Sequence, residues 1–129
     1  MFELHGWFVL RSSPHTNDDE TAERIAGKLR GRLAEIDDGG LHSELVGING
    51  EYRLLLSGGF NRRRASFDQL MEILGWLGPN AEGTYGLLYY RDDEGHDGNQ
   101  MGVWRLARGE MSHSIDTLLS PCVPTIEDP

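Results

Sequence analysis

An Asn-Gly pair at positions 49 and 50 constrains the fold of this chain more than any other short feature. The pair separates two apolar runs. A two-residue turn of this composition joins paired antiparallel strands, because both of its residues tolerate positive φ. The sequence therefore predicts a hairpin whose strands lie at about His42–Ile48 and Glu51–Ser57.

The spacing of apolar residues predicts the other elements. Alternation predicts three more strands, at about Phe2–Arg11, Thr84–Arg91 and Met101–Arg108, while residues 109–116 are ambiguous. Helical spacing predicts two helices, at about Asp19–Ile36 and Phe67–Leu77. The order β-α-β-β-α-β-β indicates one α+β domain over residues 1–129. We expect a two-layer sandwich with about five largely antiparallel strands and two helices on one sheet face.

The sheet face opposite the helices needs a cover of its own. Alternation in the predicted strands places five apolar side chains there: Trp7, Val9, Tyr90, Trp104 and Leu106. Contiguous exposed apolar patches are rare on monomers unless they bind something. The C-terminal segment LLSPCVPTIEDP, residues 118–129, has four apolar side chains and two stiffening prolines. We expect it to form an extended strap on this face, with Leu118, Leu119, Val123 and Ile126 towards the sheet and Cys122 as a packing residue.

The charge of the chain narrows the class of partner. There are 21 acidic and 12 basic side chains, for a net charge of −9. Such a surface repels nucleic acid and anionic membranes and attracts basic proteins. No run approaches the roughly 18 apolar residues of a membrane span. A single cysteine excludes an internal disulfide and fits a reducing compartment, so we expect a cytoplasmic protein.

No group of residues has the spacing of a catalytic or metal site, so we expect no enzyme activity, cofactor or metal. The five histidines are not spaced as zinc ligands. His96 lies in an acidic, glycine-rich loop that lacks the closing glutamate of a calcium loop. Cys122 has no neighbouring base, and the basic run at residues 62–64 lacks the Gly-Lys-Ser/Thr ending of a phosphate-binding loop.

Five stretches together resemble a known family. They are MFELHGWFVLR, NGEYRLLLSGGFNRR, GTYGLLYYRDDEG, VWRLARGE and LSPCVPTIEDP. In this order and spacing they resemble the immunity protein 7 family of bacterial polymorphic toxin systems, over nearly the whole chain. The resemblance implies a non-enzymatic antitoxin that binds the toxin domain of a secreted or contact-delivered protein in the cytoplasm of the producing cell. It implies no particular binding residue.

Candidate contact residues follow from charge and predicted exposure. If the toxin acts on nucleic acid, its working face is basic, and an acidic inhibitor can occlude that face. The candidates are acidic residues of the last predicted hairpin, acidic residues at the start of the first helix, and two aromatic anchors: Asp92, Asp93, Glu94, Asp97, Asp18, Asp19, Glu20, Tyr90 and Trp104. The anchors qualify only if their face is uncovered.

Two other classes of function stay open from the residues alone. A small-molecule or peptide-binding module would use the apolar sheet face, provided that the strap leaves it open. An enzyme, or an accessory subunit of one, would need a polar pocket around His96 or the Tyr/Trp face, with a histidine or carboxylate of perturbed pKa.

Overall fold

The computed structural model describes residues 1–127 and contains six strands, two long helices and one short helical turn. In chain order these are β1 Phe2–Leu10, α1 Asp19–Ala34, β2 Leu41–Ile48, β3 Glu51–Phe60, α2 Ala65–Asn80, β4 Tyr85–Asp92, β5 Gly102–Ala107, β6 Glu110–Ile115 and α3 Cys122–Thr125. The predicted α+β class is confirmed, and the sheet has six strands rather than about five.

The strands form one antiparallel sheet in the order β2-β3-β1-β4-β5-β6. Helix α1 joins β1 to β2, and β3 lies between these two strands in the sheet. Helix α2 joins β3 to β4, and β1 lies between those two strands. The first four strands and two helices therefore form the split β-α-β arrangement of ferredoxin-like folds. Strands β5 and β6 extend the sheet beyond β4.

Two tight turns explain which hairpins the sequence could predict. Asn49 and Gly50, with φ of 53° and 81°, join β2 to β3 as expected. Arg108 and Gly109, with φ of 52° and 79°, join β5 to β6 in the same way. Arginine rarely adopts a positive φ, and the strand that follows is mostly polar. Strand β6 therefore lacks the signal that identified β3.

The core lies between the two helices and one face of the sheet. Strand β1 contributes alternate side chains to it, namely Phe2, Leu4, Phe8 and Leu10, all at most 2% exposed. The predicted apolar stripes of both helices are buried against these residues, including Ile25 and Leu29 of α1 and Leu70 and Leu74 of α2. Each such side chain stabilises the fold by about 1.5–3 kcal/mol relative to an exposed position.

Three aromatic or apolar side chains lie on the opposite sheet face from the one predicted. Tyr90 pairs with Leu4, whose side chain is buried beneath the helices, and Trp104 and Leu106 share that side of the sheet. The placement of Tyr90, Trp104 and Leu106 away from the helices is therefore wrong. Strands β4 and β5 carry apolar residues on both faces, so alternation alone leaves their phase undetermined, and pairing with β1 sets it.

Trp7 and Val9 do lie on the face away from the helices, called the outer face below. The C-terminal segment covers only one end of this face, where Arg91 is buried beside Glu127. Its apolar row is not buried on the sheet as predicted, because Leu118 is 81% exposed and Leu119 and Ile126 are each more than 40% exposed. The expectation that these three side chains cover the sheet is wrong, although Leu118 and Leu119 line a crevice beside His5 and Tyr89. Residues 128 and 129 of the predicted strap lie outside the described residues.

Polar contacts hold the C-terminal segment in place. The Asn99 carbonyl accepts the Cys122 backbone N–H at 2.8 Å, and the Asn99 side chain bonds both the N–H and the carbonyl of Val123. Cys122 is fully buried, as predicted for a packing residue. Nη1 of Arg91 donates to Oε1 of Glu127 at 2.7 Å, and this hydrogen bond raises the pKa of Arg91. One buried side chain and directed hydrogen bonds anchor the segment, rather than its row of apolar residues.

Candidate functional site

The outer face carries a row of apolar side chains across its centre. Trp7 of β1 pairs with Leu55 of β3 on one side and with Leu87 of β4 on the other. Trp7 is 42% exposed and Leu55 is 40% exposed. Because paired residues point to the same side of a sheet, the three side chains form one continuous strip over three central strands.

The next row towards the end of β1 widens this strip. There Val46, Val9 and Tyr85 share the outer face with Arg53, and Val9 is buried beneath its neighbours at 2% exposed. The Tyr85 ring is 42% exposed and meets the Trp7 ring edge-on, with centroids 6.1 Å apart. We call the six apolar residues of the two rows the Trp7 patch: Trp7, Leu55, Leu87, Val9, Tyr85 and Val46. Every exposed large apolar side chain within the six described strands lies on the outer face.

Charged and polar side chains border the Trp7 patch. Exposed Glu44 of β2 lies across from Leu55, and exposed Arg105 of β5 lies across from Leu87. Below the patch, His5 and Ser57 are exposed. An apolar centre within a polar rim is the usual anatomy of a protein–protein interface.

The acidic candidates of the β4–β5 loop do not form one free surface. Asp92 ends β4 on the helix side and accepts the backbone N–H of Glu94 at 3.1 Å. Asp93 accepts a hydrogen bond from the Met1 amino group at 2.6 Å. Glu94 and Asp97 are exposed, and no hydrogen bond to their carboxylates occurs within residues 1–127. These two side chains are the ones free to act on a partner.

The predicted aromatic anchors are engaged on the helix side. The Tyr90 hydroxyl lies 2.8 Å from Nε2 of His113, and the Trp104 ring packs on the same imidazole with centroids 4.8 Å apart. Burial, with the negative charge of Asp97 nearby, raises the pKa of Tyr90 above its usual value of 10.0. Both rings are half-buried, which makes them poor anchors for a partner on the outer face.

A groove of about 170 Å³ runs beside Tyr90 on the helix side. His96, Asp97 and Asp92 line it together with Arg63, whose guanidinium pairs with Asp68 at 2.5 Å. It supplies the polar lining around His96 that the enzyme hypothesis required, which is only one part of that requirement. Its histidine lies on an exposed loop, and no group of three His, Cys, Asp or Glu side chains in the described part of the chain could hold a metal ion.

The acidic residues at the start of α1 lie at the other end of the sheet from the β4–β5 loop. Asp92 pairs with the first residue of β1, whereas α1 follows the last one. The nine residues of β1 separate these ends by about 25–30 Å. The Thr21 hydroxyl donates to the Asp18 carboxylate and lowers its pKa, while Asp19 and Glu20 are exposed. The two acidic groups therefore cannot form a single contact site.

Comparison with known families decides the class of protein. The family model described as immunity protein 7 matches residues 1–128. This chain belongs to the immunity protein 7 family. Immunity proteins of this family neutralise a cognate toxin and are not enzymes, so the predicted family, a toxin partner and the lack of enzyme activity are confirmed. No curated protein and no solved structure matches the chain.

For this immunity protein, sequence reasoning missed the Trp7 patch as a contact surface. It placed Trp7 on the outer face, yet chose Tyr90 and Trp104 as anchors. Alternation in β1 was a usable signal for Trp7. Leu55 and Tyr85 carry no such signal, because their side of the sheet follows from their pairing with β1.

Neither of the two long helices, nor the short turn α3, has the length and apolar composition of a membrane span; this holds for the described residues 1–127.

Proposed function

We propose that this immunity protein binds the toxin domain encoded beside it, in the cytoplasm of the producing bacterium, and occludes that domain's active site or substrate path. The observation that carries the proposal is the family match over residues 1–128. Occlusion requires a rigid complementary surface, and the six-stranded sheet backed by two helices supplies one. The inhibitor itself needs no chemistry.

We propose further that the toxin is a nuclease with a basic working face. A nuclease must present positive charge to its phosphate substrate, and the net charge of −9 on the inhibitor complements it. Complementary charge raises association rates, by tenfold or more at low salt, and disfavours wrong partners. Glu94 and Asp97 lead the steering candidates because their carboxylates are exposed and free. Asp92 and Asp93 already have partners in the fold.

The probe for this proposal is the purified C-terminal domain of the large secreted protein encoded next to the immunity gene. Co-expression of the immunity protein should restore growth to cells that make this domain. The purified proteins should form a stable complex in which cleavage of DNA or RNA stops at stoichiometric inhibitor. If the wild-type protein neither binds the domain nor protects cells, the proposed function is wrong.

The steering charges are tested by association kinetics. Glu94→Lys with Asp97→Lys should lower the association rate constant about tenfold at low salt, with a smaller effect at high salt. The matched control is Glu72→Lys with Glu82→Lys, which changes the net charge equally on exposed positions in and after α2. Equal slowing by both pairs would mean that only net charge matters and that the loop has no special position. If the free toxin domain cleaves neither DNA nor RNA, the nuclease assignment is wrong; a complex that forms without inhibiting cleavage would remove occlusion as the mechanism.

A further inference from the structure

We infer that the toxin domain docks on the outer sheet face, with the Trp7 patch at the centre of the contact. This inference rests on the proposed function and assigns it a surface. The helix side is already occupied by α1 and α2, and its aromatic pair Tyr90 and Trp104 is engaged with His113. Only the outer face presents large exposed apolar side chains from the described strands.

The size of the outer face fits a specific protein interface. Six strands spaced about 4.8 Å apart, each about eight residues long, give a face of roughly 600 Å² in projection. A typical specific complex buries about 800 Å² on each partner. Trp7 lies on one of the central strands, with Leu55 and Leu87 beside it. Tryptophan and tyrosine near the centre of an interface contribute most of the binding energy in many complexes.

The C-terminal segment extends this surface at one end. His5 and Tyr89 pair in the row below Trp7, and a crevice of about 250 Å³ opens there between the sheet and the segment. Leu118 and Leu119 line the crevice, although Leu118 is 81% exposed. The segment thus covers the end of the face at Arg91, forms one wall of the docking surface and leaves Trp7, Leu55 and Tyr85 exposed.

Charge favours a basic toxin over a second copy of this chain as the occupant. Face-to-face stacking would bring together two molecules that each carry a net charge of −9, which opposes association. A basic partner is attracted instead, and Glu44 at the patch border is exposed to meet a lysine or arginine. The fitting partner is a domain of net positive charge whose contact surface has an apolar or aromatic centre, with a basic side chain opposite Glu44 and an acidic one opposite Arg105.

The test compares two outer-face variants with a tryptophan variant of the opposite face. Trp7→Ala and Leu55→Arg should each raise the Kd for the toxin domain defined above at least tenfold, in isothermal titration calorimetry. Trp104→Phe is the matched control and should change the Kd less than threefold. Because Trp7 and Leu55 are about 40% exposed, both variants should retain a cooperative thermal melt, and the melt is recorded for each.

Four results would overturn the inference. If the wild-type protein binds and both outer-face variants bind equally well, the docking surface is wrong while the proposed function stands. Loss of binding in Trp104→Phe alone would assign the contact to the helix side. Self-association of the wild-type protein in analytical ultracentrifugation, abolished by Leu55→Arg with unchanged toxin affinity, would assign the outer face to a second copy. Failure of the wild-type protein to bind at all overturns the inference together with the proposed function.

Discussion

Removal of the Glu127 carboxylate should destabilise this immunity protein more than removal of the buried guanidinium with which it pairs. Nη1 of Arg91 lies 2.7 Å from Oε1 of Glu127. The Arg91 side chain is only 6% exposed, whereas that of Glu127 is 50% exposed. Nε of Arg91 is buried without a hydrogen-bond partner in the described part of the chain. The carboxylate is therefore the main compensation for a charge held away from water.

The two substitutions should differ in the stability that they remove. Breaking a fully buried ion pair by removing one partner costs about 3–5 kcal/mol. Since water can reach the half-exposed side of this pair, we expect Glu127→Ala to cost about 1–2 kcal/mol. Arg91→Met replaces the guanidinium with an apolar chain and returns Glu127 to water, which should cost less than about 1 kcal/mol. In a domain of this size, 1 kcal/mol corresponds to about 4 °C in Tm.

Thermal unfolding at pH 7, followed by circular dichroism, measures this difference. Glu127→Ala should lower the Tm by about 4–8 °C and Arg91→Met by less than about 4 °C. The double variant should melt close to Arg91→Met, because without the guanidinium the carboxylate has no buried charge to compensate. Glu94→Ala, at an exposed loop position, is the control and should leave the Tm unchanged. A lower Tm for Arg91→Met than for Glu127→Ala would refute the reasoning.

Two further predictions concern stability. The Asp38 carboxylate accepts the Gly40 backbone N–H and the Ser66 hydroxyl, and these bonds lower its pKa below 3.8. A lowered folded pKa adds stability that is present above pH 3.8 and is lost as the pH falls through the folded value. Asp38→Asn should therefore lower the urea midpoint at pH 7 and narrow the difference between the midpoints at pH 7 and pH 3. An unchanged difference between the two midpoints would contradict this prediction. Truncation after Thr117 removes buried Cys122 and its hydrogen bond to the Asn99 carbonyl, and should lower the Tm by several degrees; an unchanged Tm would show that the C-terminal segment is not part of the folded unit.

The elements with strong local signals were predictable from the sequence. The Asn49-Gly50 turn needs positive φ at both residues, and Asn-Gly is the composition typical of such a turn. Both helices followed from apolar stripes that do face the core. Strand β6 was not predictable, because its turn uses Arg108 at a positive φ and its side chains are mostly polar. The phase of β4 was not predictable either, since apolar residues occupy both of its faces and only pairing with β1 fixes which side is covered.

The candidate site was likewise only partly predictable from the sequence. Acidic residues are visible in any sequence, and Glu94 and Asp97 are indeed exposed. Their partners are not visible, so nothing in the sequence indicated that Asp93 bonds the Met1 amino group or that Asp92 accepts a loop N–H. The Trp7 patch depends on the register of four strands, β1 to β4, which a local sequence pattern does not contain.

The outer face carries apolar side chains that the fold does not need. An antiparallel sheet covered by helices on one side commonly has polar side chains on the other. The fold described here buries its core without Trp7 or Leu55, whose side chains remain about 40% exposed, so neither is needed to fill the space beneath the helices. Exposing them costs hydrophobic free energy and solubility. The proposed steering charges would speed the encounter with the toxin, but they do not explain an apolar strip across three central strands. Docking of the toxin on that strip, as inferred above, explains it, because charge sets how often two partners meet and buried aromatic area sets how slowly they separate.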